Sequence, residues 1–331
     1  MPAYNTDQYL RQAIQSILTQ SWPNLELIIV NDASADQTLP IALEMEAKDA
    51  RIRVLSNEFN RGIVYSRNRG ILASRGTYIA SMDADDVALP DRLETQVNYL
   101  KQNPELGAVG SFYHVMDGSG KHLTSINVPH KTADITTFLL FNVTFCHSTL
   151  MMRGEVARTF LYGEGFDIIE DYEIAYRISR RYPIGNVPSY TVLYRIHGSN
   201  ISIEKKQRLL ELRLQLDRRV LNDLNIPYSE ADCNLHSNFL NLNTDAFRSN
   251  QDFVKLEDWL SRFYSYCLKR SDLNHRMIHR ILAVRWSILC IRTRRYTQIF
   301  RNRLFSEFKA DFLKHNLHYI RNRFSGVLEV V

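Results

Sequence analysis

Three carboxylates close the run Tyr78-Ile79-Ala80-Ser81-Met82-Asp83-Ala84-Asp85-Asp86, directly after an apolar stretch. An apolar strand that ends in acids places them at the C-terminal edge of a sheet, where open α/β sheets bind ligands. Crowded carboxylates repel each other, at a cost on the order of 1 kcal/mol per pair in a partly dry site. A hard cation such as Mg²⁺ or Mn²⁺ removes that cost. The competing reading is a solvated acidic turn that caps the next helix. Asp32 ends another apolar run and belongs at the same edge, unless it is only a helix cap. Asn60-Arg61-Gly62 and Arg67-Asn68-Arg69-Gly70 add glycines and fixed cations. Glycine lets backbone approach a phosphate, and arginine offers it a bidentate fork. Glu170-Asp171 can supply a base, or can simply favour the start of the helix they open. His197 is a candidate metal ligand or an ordinary loop histidine. His147 fits a hydrogen-bonding core histidine better than an acceptor pocket.

These groups need a scaffold that gathers strand ends. Leu10, Ile14, Ile17 and Leu18 predict a helix over 7–20, which Trp22-Pro23-Asn24 breaks. Leu25–Val30 reads as a buried strand, 38–48 as a helix and 52–55 as a strand. A helix over 62–73, a strand over 76–82, a helix over 93–101 and a strand over 108–115 follow. Strands alternating with helices predict α/β architecture, with a mainly parallel, Rossmann-like sheet flanked by helices. Beyond Ser199 the pattern changes. Leu209, Leu212, Leu216 and Val220 form a helical stripe, as do Ile281, Val284, Ile288 and Ile291. A boundary near residue 203 therefore separates an α/β domain (1–203) from an all-helical region (204–331).

With 331 residues, 45% of them apolar, the chain can bury a substantial core. Cys146, Cys233, Cys267 and Cys290 are widely spaced, which argues against a zinc site or a disulfide framework and fits a reducing compartment. No basic-then-apolar leader opens the sequence, and no apolar run reaches the ~18 residues of a spanning helix. The expectation is a cytoplasmic protein, peripheral at most to the membrane. From Arg262 onward, 15 Lys/Arg face four acidic residues, within a net charge of +5. An acidic front and a basic tail suggest two parts with different jobs.

Six blocks in this sequence resemble the family-2 inverting glycosyltransferases, whose nucleotide-diphosphosugar transferase domain has the GT-A fold. They are Pro2-Ala3-Tyr4-Asn5, QSILTQSWPNLELIIVNDAS, NRGIVYSRNRG, GTYIASMDADD with Pro90-x-Arg92-Leu93, IIEDYEIAYRI and YRIHGSNIS. They run in the family's order from residue 1 to about 202. The resemblance implies that Ala3 and Tyr4 hold the base and that Asp32 hydrogen-bonds it. It implies that Asn60, Gly62 and Arg67 line the nucleotide and diphosphate. It further implies that Asp83 lies near the ribose with Ala84 beside it, and that Asp85 ligates a Mn²⁺ or Mg²⁺ bridging the phosphates. Asp171 is implied as the catalytic base, with Glu170 beside it, and His197 as a late metal or diphosphate ligand. The division fits the chemistry: an inverting transfer needs one base for the acceptor hydroxyl and separate stabilisation of the departing diphosphate. The implied reaction moves one sugar from a nucleotide-diphosphosugar, UDP-linked by the Asp32 match, to a saccharide or lipid-linked acceptor. Bacterial surface-polysaccharide or glycoconjugate assembly is its expected setting. Rival readings are a nucleotidyl- or phosphotransferase and an inactive nucleotide-sugar binding module.

Two departures stand out. The family carries an apolar strand of four or five residues before the P-x-Y-N turn, whereas Met1 stands where that strand should end, so the first strand is expected to be truncated. The Q-x-x-R-W block of processive synthases is missing, which favours single-sugar addition. In the tail, Arg280, Arg285, Arg292, Arg294, Arg295, Arg301, Arg303, Arg321 and Arg323 interleave with Trp286, Tyr296, Phe300, Phe305, Phe308 and Phe324. The pattern suits a helix on an anionic membrane surface. It equally suits a helical lid whose aromatics pack on the transferase domain. Nucleic acid is the weakest option, because no recognition motif accompanies the charge.

Overall fold

The computed structural model describes residues 1–197 and 206–301. The chain divides into two compact units, Met1–Glu204 and Lys205–Val331.

In the first unit, β1 (Pro2–Ala3), β2 (Leu27–Asn31) and β3 (Ile52–Ser56) form a parallel sheet in the order β1-β2-β3. Every residue of β2 is buried, as expected for an apolar run covered on both faces. Helix α1 (Asp7–Leu18) buries Leu10, Ala13, Ile14 and Ile17, the stripe that its spacing predicts. Helices α2 (Thr38–Lys48) and α3 (Ile63–Ala73) follow β2 and β3. Gly62, just before α3, has φ 84° and ψ 167°, a backbone region essentially restricted to glycine.

The second sheet contains β4 (Tyr78–Ala80), β5 (Val87–Ala88), β6 (Ala108–Asp117), β7 (His122–Ile126), β8 (Met151–Arg153) and β9 (Ile184–Ile196). Its order is β4-β8-β6-β9-β5, with β7 on β6. The long β6–β9 pair is parallel, and the other pairs in this sheet are antiparallel. The α/β class is as expected, with parallel pairing in the first sheet and mixed pairing in the second. Helices α4 (Arg92–Gln102), α5 (Thr132–Phe138), α6 (Gly154–Thr159) and α7 (Glu170–Ser179) complete the unit. Strand β9 carries Gly185 and Pro188, which hide it from a pattern search. The ladder steps from Ser111↔Val187 to Phe112↔Tyr190, so the exposed Pro188 and Ser189 bulge out of register. A bulge is where a strand tolerates proline.

The described part of the second unit contains only helical elements: α8 (Lys206–Asp223), α9 (Glu230–Leu240), α10 (Asn250–Cys267), α11 (His275–Arg292) and α12 (Tyr296–Arg301), plus the short turn Thr244–Ala246. Reciprocal capping boxes, Ser229 with Asp232 and Ser249 with Asp252, start α9 and α10. Trp286 is buried in this unit's own core, with its ring 5.5 Å from that of Phe253. It is therefore unavailable as a surface aromatic. Arg285 donates to the Leu240 carbonyl, and Arg295 to the Arg248 carbonyl and to Asn250. Arg303, Phe305, Phe308, Arg321, Arg323 and Phe324 lie outside the described residues. The four cysteines are buried free thiols. No helix among the described residues is long and apolar enough to cross a membrane.

Candidate active site

Strand β4 delivers the acidic turn, and a buried arginine braces it. Arg92, fully buried on α4, donates from Nη2 to the Ser81 carbonyl at 2.7 Å and from Nη1 to Met82 Sδ at 3.3 Å. The Asp83 N–H donates to Ser148 Oγ at 3.0 Å. Ala84 is buried, so the turn exposes no apolar side chain between the two aspartates.

Arg67 joins this turn to α7. Its Nη2 lies 3.0 Å from Asp83 Oδ1 and 3.2 Å from Glu170 Oε1, while Nη1 reaches His147 Nε2 at 2.9 Å. His147 Nε2 in turn contacts the Tyr162 hydroxyl at 2.7 Å. One guanidinium thus serves two carboxyls and cannot neutralise both. Burial opposes charge on Asp83, but Arg67 and His147 outweigh it and hold that carboxyl well below the usual carboxylate range. Burial pushes Glu170 up to about 8, with Arg67 opposing and Asp171 adding to the rise. Asp171 is also raised by burial, while His147, the Tyr172 N–H and Arg67 oppose. Its Oδ1 accepts that N–H at 2.7 Å. His147 is shifted down by burial and by Arg67, with Asp83 opposing. Arg67 thus holds Asp83 and Glu170, with Asp171 also acting on it through space, while the Asp83 charge reaches Asp85 and raises it.

Asp85 pairs with His197, Oδ2 to Nε2 at 2.8 Å. Burial and Asp83 push the Asp85 carboxyl up, and His197 opposes them. Asp86 has a different job. It is buried, and its Oδ1 accepts the Arg195 N–H at 2.8 Å. Arg195 Nε donates to the Asp85 carbonyl at 2.7 Å, and Nη2 to Gln12 at 2.8 Å. The arginine of the Y-R-x-H block therefore positions the turn, while its histidine reaches the carboxylate. Among the described residues, no three His, Cys, Asp or Glu side chains form a metal-binding group. Asp85 and His197 would be the side chains to hold Mg²⁺ or Mn²⁺, cations that proteins commonly bind through one or two carboxylates together with substrate phosphates.

The third cluster surrounds Asp32 at the end of β2. Oδ1 accepts from Asn57 Nδ2 at 2.6 Å and from the Arg61 N–H at 2.8 Å, and Oδ2 accepts from the Gly62 N–H at 2.8 Å. Asn60 Oδ1 also accepts the Gly62 N–H, at 3.2 Å. The buried carboxylate therefore shapes the 57–62 loop and retains acceptor capacity. Ala3 is buried at the end of β1, and Tyr4 beyond it is 49% exposed. Asn5, with φ 50°, ties that turn to the loop after β2, through its N–H to Ser34 Oγ at 3.1 Å and its Oδ1 from the Ala35 N–H at 2.9 Å.

The sequence-predicted residues thus fall into three groups: Asp83, Arg67, Glu170 and Asp171; Asp85 and His197; and Asp32, Asn60 and Gly62 beside the Tyr4 turn. Asn57, Ser148 and Tyr162 are additional members. Asn57 had a readable signal, as a polar residue directly after β3. Ser148 and Tyr162 had none, because neither follows a predicted strand nor lies in a matched block. His147 is the hydrogen-bonding buried histidine that its surroundings suggest, placed inside the site.

Residues 1–159 match the family model described as Glycosyl transferase family 2. An uncharacterized glycosyltransferase of Haemophilus influenzae is 35% identical over 212 residues, covering 60% of this chain and 65% of that protein. A second, from Methanocaldococcus jannaschii, is 31% identical over 218 residues, covering 63% of this chain and 74% of that protein. The chain thus spans roughly two thirds to three quarters of these relatives. The fold also matches crystal structures of S. aureus TarS 1-349, including one in complex with UDP, with TM-score 0.56 and 16% identity over 93% of this chain and 89% of that one. Another was solved with UDP-GlcNAc. The relatives and the family model agree: this chain belongs to glycosyl transferase family 2.

Proposed function

We propose that the chain is an inverting transferase that moves one sugar from a UDP-linked donor to a hydroxyl of a saccharide acceptor, free or lipid-linked. One observation carries this reading: Arg67 bridges Asp83 and Glu170. That bridge sets the first turn of α7, with Asp171, against the turn that holds Asp85. The proposed base and the proposed leaving-group turn are then linked through one buried guanidinium.

In this reading Asp171 takes the proton of the acceptor hydroxyl as its oxygen bonds to the anomeric carbon. The bond from that carbon to the diphosphate oxygen breaks on the opposite face, and the electron pair leaves with the diphosphate. Asp85 and His197 would hold Mn²⁺ or Mg²⁺, which, when bound, offsets the charge of the leaving diphosphate. Arg67 keeps Asp83 ionised and fixed. Tyr4 would cover the base, and Asp32 would hydrogen-bond it while also fixing the Arg61-Gly62 backbone. UDP is preferred through the Asp32 match and because structural neighbours are solved with UDP and UDP-GlcNAc. Family membership removes the motive for a nucleotidyl- or phosphotransferase reading. An inactive binding module would leave the raised Glu170–Asp171 pair without a task. Bacterial surface-polysaccharide or glycoconjugate assembly remains the proposed setting.

The test is a screen of nucleotide-sugars for nucleotide-diphosphate release with Mn²⁺, Mg²⁺ or chelator. UDP release from one UDP-sugar, stimulated by cation and acceptor, is expected. Equal release with chelator would remove the metal from the scheme. Activity confined to another nucleotide would replace UDP.

A further inference from the structure

Helix α1 carries a polar stripe beside its apolar one. Tyr9, Gln12 and Ser16 recur at helical spacing, and Gln20 continues the stripe just past the helix end. Such spacing puts side chains on one helix face. The neighbouring stripe, Leu10, Ala13, Ile14 and Ile17, is committed to the core. The polar stripe is committed to the two strands that meet at the Asp85–His197 contact.

On the β5 side, which leaves the acidic turn, Ser16 Oγ accepts the Ala88 N–H at 3.1 Å. Gln20 Nε2 donates to the Leu89 carbonyl at 2.7 Å, and its Oε1 accepts the Leu93 N–H at 3.0 Å. On the β9 side, which leads to His197, Gln12 Oε1 accepts from Arg195 Nη2 at 2.8 Å. The Arg195 Cζ lies 4.5 Å from the centroid of the Tyr9 ring, within reach of a cation–π contact. The same ring lies 5.2 Å from the His197 imidazole, at an interplanar angle of 31°. Gly118, in the turn after β6, closes this corner. A Cβ added there would lie 3.2 Å from the Tyr9 hydroxyl and 3.7 Å from His197 Cβ.

A histidine serves a partner only through the ring nitrogen that its orientation presents. His197 presents Nε2 to Asp85 Oδ2 at 2.8 Å. The β5–β9 ladder, Val87↔Leu193 and Ala88↔Val192, fixes the two backbones. It does not fix the imidazole torsion, which is broad for histidine. We propose that α1 is a jig that seats the end of β9, and with it His197, against Asp85. Tyr9 is the positioning residue for the imidazole, and Gln12 supports it through Arg195. The consequence for a bound cation rests on the proposed role of Asp85 and His197, whereas the seating of β9 does not. Removing a group that orients a metal ligand typically costs about 10–100-fold in metal affinity.

The experiment uses the full chain and compares Tyr9→Leu, Tyr9→Phe, Gln12→Ala and His197→Ala with the parent protein. Exchange of the Arg195 amide, which donates to Asp86, is read without metal. UDP affinity is read with and without Mn²⁺. Tyr9→Leu should speed Arg195 exchange and reduce the Mn²⁺-dependent gain in UDP affinity, each by about tenfold. Its metal-free UDP affinity should equal the parent's. Tyr9→Phe keeps the ring and should match the parent throughout. Gln12 is an exposed helix position, so Gln12→Ala is the fold-neutral variant and should speed Arg195 exchange as well. Adding Tyr9→Leu to His197→Ala should remove no further Mn²⁺-dependent gain, because Tyr9 acts through His197. Parental Arg195 exchange in Tyr9→Leu and Gln12→Ala, or an equal loss of metal-free UDP affinity in Tyr9→Leu, would overturn the jig. A parent protein without Mn²⁺-dependent gain would instead refute the cation role of Asp85 and His197, and Arg195 exchange would then decide the seating of β9.

Discussion

Arg67 concentrates the chemistry of the site on one side chain. It is buried, contacts Asp83, Glu170 and His147, and holds Asp83 ionised while Glu170 is pushed up to about 8. Removing it should leave buried carboxyls without their counter-charge, a change that costs about 3–5 kcal/mol in comparable pairs. Arg67→Met is therefore expected to lower stability by that order and to abolish transfer, read by denaturant unfolding and by turnover. Arg67→Lys keeps the charge but loses the planar fork, so it should retain more stability than activity. If Arg67→Met unfolded like the parent protein, the bridge would not be holding the site. These roles were only partly legible. The arginine could be singled out from its glycine-rich, cationic surroundings, but its partners could not, because Asp83 and Glu170 are brought to it by tertiary packing. Asp85 and His197 were readable as separate candidates, and their 2.8 Å contact forms where β9 is held against the turn by its ladder with β5 and by Arg195. Asp86 reads in sequence as a third acid of the cluster. In the fold it accepts the Arg195 N–H and belongs to the scaffold.

At the scale of elements, the sequence is legible where one signal governs and illegible where two conflict. Helices α1, α2 and α3 were legible from apolar spacing, and β2 and β3 from short β-branched runs. Strand β9 was not, because Gly185 and Pro188 break its pattern while the bulge at Pro188-Ser189 preserves its pairing with β6. Strands β5 and β8 are two and three residues long, too short for periodicity to register. At Gly62 an element boundary meets the site, because its N–H donates to Asp32 while its φ of 84° starts α3. An added Cβ would meet nothing within 4 Å, so the constraint is purely one of backbone conformation. Gly62→Ala should cost about 1–3 kcal/mol and loosen the 57–62 loop. Calorimetry would show the loss, together with weaker nucleotide binding. An unchanged Tm would mean that the loop tolerates another conformation.

The two units of the molecule carry different burdens. In the helical unit, His236 is fully buried and accepts a hydrogen bond from Trp259 Nε1 at 3.2 Å. Burial lowers its pKa to about 4, with Asp217 opposing and Arg213 and Arg285 adding to the fall. The unfolded chain therefore binds a proton that the folded one refuses between about pH 6.5 and 4. Stability from this group is complete above pH 6.5 and is lost as the pH falls toward 4, by up to about 3 kcal/mol. Denaturant midpoints should fall between pH 7 and 5, and His236→Asn should flatten that fall. An equal slope in the variant would assign the dependence elsewhere. The basic character of this unit was legible by counting, but its use was not, since Trp286 and Arg285 are committed to the unit's own interior.

The transferase unit carries the central claim: the Asp83–Asp85 turn holds the leaving diphosphate, while Asp171 serves the bond-making step. The most direct test measures UDP affinity, with and without Mn²⁺, alongside turnover for Asp85→Ala and Asp171→Asn. Asp171→Asn should bind UDP with Mn²⁺ as tightly as the parent and lose about 10²–10⁴ in turnover. Asp85→Ala should lose the Mn²⁺-dependent part of UDP binding. Retained turnover in Asp171→Asn, or unchanged Mn²⁺-dependent binding in Asp85→Ala, would contradict the account.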